Sequence, residues 1–462
     1  MKNHAIIPVT NSCGLPDRRL QVHGVLRAPE SRPPLQIHEI SKGRDLSVKN
    51  QKSPWISIIA CLVVQLCVGI LYLWSAFKNN IIAAYGWDTT SANLVSSFML
   101  FAFVFGNLIG GFINDKKGPK VTCVSGVILF SLGVILTSFV KSVALFDFTY
   151  AIMAGLGSGF AYGACISCIQ KWLPHKRGLA SGLACSAFGL STVIFTPVSK
   201  ALMNANMDAN GIVNFTPVFL TLGIVFAVLG LAACVFINLP GEEYLRSLNL
   251  PKAAVSGSVN FTLGQAIKKP AFWALFFSIF FINGTWNLCV PLIVPLGQVR
   301  GLTEAMAIAC LSFTGITNAA GRLIMATLSD KIGRSNTMYI LCGLTLLGAV
   351  LMTFIGGMGY FVTIAIIAFA YGGPSALNAA LCTDMFGPKN SGTNYGVAML
   401  ALGFSSIFFN LISGKVLNAS VDVAAGSAVG IAPTFIMGAV TAVIPVFLMF
   451  YINHYLKTRS EQ

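Results

Sequence analysis

The stretch Gly110-Gly111-Phe-Ile-Asn-Asp115-Lys-Lys-Gly118-Pro-Lys120 closes an apolar run with an acid, two cations and a turn residue. A counterpart lies 215 residues on, where Ser329-Asp330-Lys331-Ile-Gly333-Arg334 closes another apolar run. A second pair repeats at nearly the same distance. Trp172-Leu-Pro174 leads into Gly178-x-x-x-Gly182, and 214 residues later Phe386-Gly-Pro388 leads into Gly392-x-x-x-Gly396. Two independent motifs sharing almost one offset mark a duplicated unit. Between them run apolar segments of about 20 residues, each long enough to cross the hydrocarbon of a bilayer as a helix. They fall near 54–77, 93–114, 121–140, 146–170, 178–203, 215–238, 271–297, 303–328, 336–355, 360–385, 392–416 and 431–455. The expected fold is therefore an all-α membrane protein of twelve transmembrane helices, in two pseudo-symmetric six-helix bundles. Parallel halves around a site at the midplane are an alternating-access design.

Composition agrees. Of 462 residues, 55% are hydrophobic and 10% charged, against about 25% charged in a soluble domain. Mean hydropathy is +0.76. A soluble enzyme is excluded, and continuous apolar runs rather than alternating ten-residue segments exclude a barrel. The net charge of +15 would suggest nucleic acid in a soluble chain. Here it reflects loops kept on one side of a membrane, and the bilayer is the expected partner. Of the 12 cysteines, those of Cys165-x-x-Cys168 read as small packing residues, since a redox or zinc site needs access and further ligands.

The domain reading follows. Residues 1–53 carry nine Lys/Arg, four acids and Pro29, Pro33 and Pro34, with no apolar stretch near the start. They read as a disordered cytoplasmic tail. Residues 54–238 form one bundle, 239–270 a cytoplasmic linker, 271–455 the second bundle and 456–462 a short tail. Twenty-four Lys/Arg fall on the side of the tails and the linker, five on the other, and Arg322 inside a span. By the positive-inside rule both termini are cytoplasmic, and the plasma membrane is the expected location.

These motifs resemble the major facilitator superfamily, whose signature loop follows its second helix as Gly110–Lys120 does here. Within it the chain is most similar to the oxalate–formate antiporter family of organic-anion carriers. The resemblance rests on Tyr72-Leu-Trp74-Ser-Ala-Phe77, on Lys171-Trp172-Leu-Pro174-His-Lys-Arg177-Gly178, and on Lys269-Pro270-Ala-Phe272-Trp273. It rests also on Asn318-Ala-Ala-Gly321-Arg322 with the Asp330 loop, and on Asn394-Tyr395-Gly396. It implies a secondary transporter, with no cofactor and no catalytic residues, acting as a monomer on a small anionic solute.

Arg322 is the one Lys or Arg well inside an apolar span. A charge there costs roughly 2.5–3.5 kcal/mol on insertion scales, and guanidinium grips a carboxylate bidentately. It matches the family's anion-binding arginine. The alternatives are snorkelling toward the end of the helix and pairing with an acid on a neighbour. Polar and aromatic residues at helical spacing form further stripes: Gln65, Gly69 and Tyr72; Asn283, Trp286 and Asn287; Thr314, Asn318 and Arg322; Tyr371, Ser375 and Asn378. The expected substrate site is Arg322, Asn318, Tyr72, Tyr371, Gln65 and Trp286. Hydrogen bonding between helices is the structural alternative for each.

Asp115 and Asp330, with Arg334, Gly118 and Gly333 of the same loops, form the expected conformational gate. Such acids can bond the N-terminus of a neighbouring helix. No acid or His lies near the middle of a span, and no Walker motif is present. A proton relay and ATP-driven transport therefore have no support. Oxalate carriers of the family hold a second cation, a lysine shortly after Asn-Tyr-Gly; the matching position here is Leu402. One buried cation balances one carboxylate, so the expected cargo is a monocarboxylate such as formate, lactate or pyruvate, moved by exchange. A carrier of another solute and a transporter-like sensor are the competing readings.

Overall fold

The computed structural model describes residues 53–248, 260–290, 293–419 and 432–460. Nearly all of the tail read at 1–53 lies outside them, as does the middle of the linker. The described chain is built of twelve long helical elements. In the first half they are α1 (residues 54–85), α2 (Thr89–Lys117), α3 (Pro119–Thr137), α4 (residues 143–172), α5 (Arg177–Ala205) and α6 (Phe215–Val235). In the second half they are α7 (residues 270–290, with Ile293–Val299 following), α8 (Glu304–Ile332), α9 (Arg334–Phe354), α10 (Met358–Phe386), α11 (Ser391–Ala419) and α12 (Ala432–Ser460). Two short helices, Glu242–Ser247 and Leu263–Ala266, lie between the halves.

Ten elements are long and apolar enough to cross a membrane by themselves. The other two are α1, which is interrupted, and α8, which carries Arg322, Asp330 and Lys331. Exposed side chains such as Phe354, Leu411 and Phe447 face outward, as lipid-facing helices require.

Local chemistry sets the breaks. α1 turns through a 3-10 segment, Ile70–Leu73, beside Gly69. There the backbone of α5 comes so close that a Cβ on Gly69 would lie 2.3 Å from the Phe188 carbonyl oxygen. α4 contains a π segment, Asp147–Met153. α7 is interrupted at Asn283, whose amide donates to the Ile279 carbonyl (2.6 Å).

Several ends differ from the apolar runs. α1 continues past residue 77 to Tyr85 and stops at Gly86. Lys78, Asn79 and Asn80 are thus helical rather than loop, because a helix does not have to end where the hydrocarbon does. α2 starts four residues early, capped by Asp88, whose carboxylate accepts from Ser91 N–H (2.9 Å). Gly118 and Gly333 end α2 and α8 with φ of +85° and +91°, a conformation only glycine adopts without strain. Their place in the repeated loop is a turn requirement.

α2, α3 and α6 pack around α4 and α1 in the first half; α8, α9 and α12 pack with α10 and α7 in the second. Two seams join the halves, α2 on α11 and α5 on α8. The offset between repeats carries α2 onto α8 and α5 onto α11, so one contact is made twice. The C-x-x-C cysteines are buried in the first half, with Cys165 Sγ 3.6 Å from Cys123 Sγ. All eleven described cysteines are buried free thiols.

Candidate substrate cavity and its closed end

A small cavity of about 30 Å³ lies where the halves meet. The first half contributes Leu100 and Phe103 of α2, Tyr162 of α4 and Phe188 of α5. The three aromatic rings form a cluster with centroids 5.0–5.5 Å apart. The second half contributes Ile279 and Asn283, then Arg322, then Tyr371, Ser375 and Asn378, and finally Tyr395, Met399 and Leu402. Among the described residues no carboxylate lines it, and Arg322 is the one charged side chain of the lining.

Arg322 is 4% exposed. Its Nε donates to Asn318 Oδ1 (2.8 Å), one turn earlier on the same helix. Its Nη1 donates to the Cys185 carbonyl on α5 (3.2 Å), across the seam. The guanidinium is therefore oriented by both halves. The Tyr395 hydroxyl donates to the Ser375 carbonyl (3.0 Å), and the Tyr162 hydroxyl meets Cys185 Sγ at 3.2 Å. Asn378 Oδ1 is buried with no hydrogen-bond partner among the described residues.

The expected site residues separate on this geometry. Arg322 and Tyr371 line the cavity. Asn318 stands behind Arg322 and holds it. Trp286 stands behind Tyr371, stacked on it at 4.9 Å and 15°. Gln65 is elsewhere: its amide donates to the Tyr162 carbonyl inside the first half (3.2 Å), an interhelical bond of the kind weighed as the alternative. Tyr72 falls in the 3-10 segment of α1, and its side chain lies outside the described ones. Tyr162, Phe103 and Phe188 were not expected in the lining. Tyr395 stood only in a family motif.

At one end of the molecule the seams are held by charge. Asp115 accepts from Gly392 N–H (3.2 Å) and Thr393 N–H (2.7 Å) at the start of α11. Asp330 accepts from Gly178 N–H (2.9 Å) and Leu179 N–H (2.8 Å) at the start of α5. Each carboxylate thus sits on the positive end of a helix dipole in the opposite half. Around Asp330 the ions continue. Arg334 pairs with Asp330 (2.7 Å) and Asp384 (3.0 Å), and Arg177 reaches across to Asp384 (2.7 Å). The seam of Asp115 has neutral partners instead. Ser167 meets Ser391 at 3.4 Å, and the Thr383 hydroxyl donates to Gln170 Oε1 (2.8 Å).

Both seams widen away from this end. Along α5–α8, a Cβ on Gly178 would lie 2.1 Å from the Ala326 carbonyl oxygen, and on Gly182 3.0 Å from that of Arg322. On Gly189 and Gly315 the nearest atoms are 3.5 and 3.8 Å away. Along α2–α11 the same series reads 2.3 Å at Gly111, 2.9 Å at Gly396 and 3.5 Å at Gly403. The charged end is closed, and the helices part from the level of the cavity, where Gly189 and Gly403 adjoin the lining residues Phe188 and Leu402.

The sequence pattern of the Major Facilitator Superfamily matches residues 56–410. The chain belongs to the Major Facilitator Superfamily. It is a membrane transporter and not an enzyme. The crystal structure of FucP, a transporter of the superfamily in the outward conformation, superposes with a TM-score of 0.65 at 14% identity. The match covers 86% of this chain and 98% of FucP. Among curated proteins, the oxalate:formate antiporter of Oxalobacter formigenes is 27% identical over 354 residues, 76% of this chain and 82% of that one. Apicoplast pyruvate carrier 1 of Toxoplasma gondii is 23% identical, over 78% of this chain and 83% of its own.

Proposed function

We propose that the chain is a secondary carrier of small organic monoanions, formate, lactate or pyruvate in class, working by exchange and alternating access. The observation that carries this is Arg322. It is the one charge in a cavity without carboxylates, and two bonds hold its guanidinium in place. Tyr371, backed by Trp286, and the amides of Asn283 and Asn378 supply the remaining polar and aromatic contacts. Leu402 lines the same cavity, so no second cation faces a second carboxylate. On this measure one water needs about 10–15 Å³, so the cavity holds two or three waters, the bulk of a very small acid. Of the anions in the relatives' names, formate and pyruvate are monoanions of this class, whereas oxalate is not.

Asp115, Asp330 and Arg334 are the gate of this cycle, closed in the present state. Residues 54–238 and 271–455 are the rocking halves, each chain acting alone. The Lys/Arg excess puts the charged end and both termini in the cytoplasm of a cell whose plasma membrane holds the carrier.

Counterflow of labelled formate, lactate, pyruvate and oxalate in proteoliposomes tests the reading. Monocarboxylates should exchange, and Arg322→Gln should abolish exchange in a correctly folded protein. Wild-type rates in that variant would transfer the proposal to an uncharged solute. Tags on either terminus should be reached by antibody only after permeabilisation.

A further inference from the structure

A second cavity, about 280 Å³, lies at the closed, charged end. It is much larger than the cavity around Arg322. Its floor is the last two turns of α4, with Ser167, Gln170 and Lys171, followed by Pro174 and Arg177. Leu239, Pro240 and Leu245, from the start of the segment between the halves, form an apolar wall. The helix bearing Leu245 is fixed to α4. The Tyr244 hydroxyl donates to the Trp172 carbonyl (3.3 Å), and the two rings lie 5.1 Å apart. The opposite wall belongs to the second half: Thr383, Pro388 and Ser391.

We propose that this cavity is a regulatory site for an organic monoanion with an apolar body, larger than the transported acid, which holds the transporter closed at the charged end. The charge argument rests on Lys171. The guanidinium of Arg177 is engaged by Asp384 at 2.7 Å, whereas Lys171 makes no hydrogen bond or ion pair among the described residues. Among the described residues it therefore supplies one cation without an acid partner; the hydroxyls of Ser167 and Ser391 beside it are already bonded to each other. The prolines and leucines accept hydrocarbon. The volume approaches the roughly 300–1,000 Å³ of small-molecule sites.

The position supplies the regulation. Both halves build the walls only while the seams of Asp115 and Asp330 are shut. When they part, Thr383, Pro388 and Ser391 leave with the second half. A ligand that binds one state better shifts the population toward it. The inference rests on the transporter fold alone and is independent of the cargo at Arg322.

The probe is octanoate, with octanamide as its uncharged counterpart and oleate mixed into the lipid as the membrane-borne source. Thermal unfolding of the full chain in lipid nanodiscs is the readout. Octanoate should raise the melting temperature and octanamide should not. Lys171→Gln and, separately, Leu245→Glu should raise the octanoate concentration needed at least tenfold. Lys268→Gln, at an exposed cation outside this lining, should leave it unchanged, and Asp115→Asn should raise it by loosening the closed state. Stabilisation by oleate alone, still lost in Lys171→Gln, keeps the site and assigns its ligand to the bilayer. An octanoate effect that survives Lys171→Gln, one that vanishes equally in Lys268→Gln, or no effect of either carboxylate overturns the proposal.

Discussion

Arg322 and Leu402 line the same small space, one charged and one not. Leu402→Lys would add a second cation within that lining. Inserting it costs roughly 2.5–3.5 kcal/mol, so the variant should be less stable, yet a dianion could then be fully paired. The expected outcome is a rise of at least tenfold in oxalate exchange relative to formate, read as a ratio in counterflow. An unchanged ratio would mean that Leu402 does not set the charge preference. Arg322 was legible because a guanidinium well inside an apolar run is costly; in the structure it is buried and bonded to Asn318 and the Cys185 carbonyl, with no acid in the lining among the described residues. Gln65 reads only as part of a polar stripe, and its amide nitrogen bonds a backbone carbonyl on α4 within the first half. The reverse holds for Phe103, Tyr162 and Phe188. Aromatic residues in a membrane helix look alike whether they face lipid, a neighbour or a cavity, so periodicity alone could not select them.

The proposed gate belongs to helices rather than to single residues. Asp115→Asn replaces a carboxylate on the dipole of α11 with a neutral amide. Such interactions are worth about 1–2 kcal/mol in favourable, partly buried geometry, a factor of about 5–30 in the balance of states. Turnover should fall more than apparent affinity, measured as the split between kcat and KM for exchange. Asp330→Asn should cost more, since it also strips Arg334 of one of its two acids. The seams offer a graded test. Gly178→Ala places a methyl group against the backbone of α8, and Gly403→Ala places one at ordinary contact distance from Val104. The first should destabilise the closed end by about 1–3 kcal/mol, the usual cost of overpacking; the second should be silent. Labelling of a cysteine introduced on the charged face reads the difference. The repeated loops made these helix ends legible. The continuation of α1 to Tyr85 and the interruption of α7 at Asn283 were not. One is polar helix beyond the apolar run, and the other depends on a side chain bonding back to its own backbone.

For the whole molecule, the twofold offset in the sequence and the twice-made seam are one fact seen at two levels. The repeat sets Asp115 opposite α11 and Asp330 opposite α5, and the two seams differ in that the second is ionic through Arg334, Asp384 and Arg177. The solitary charge of the cavity also bears on how the carrier responds to voltage. With one carboxylate bound, Arg322 and its cargo sum to zero, so the loaded step crosses the electric field without doing electrical work. The empty step carries the full positive charge, against or with about 2.3 kcal/mol per 100 mV for a complete crossing. One-for-one exchange never uses the empty step. Its rate should stay flat when potassium gradients and valinomycin clamp the liposomes at different potentials, while net uptake should vary with the clamp. In Leu402→Lys, where a dianion can be paired, exchange of an internal dianion for an external monoanion should turn the silent exchange into a measurable current.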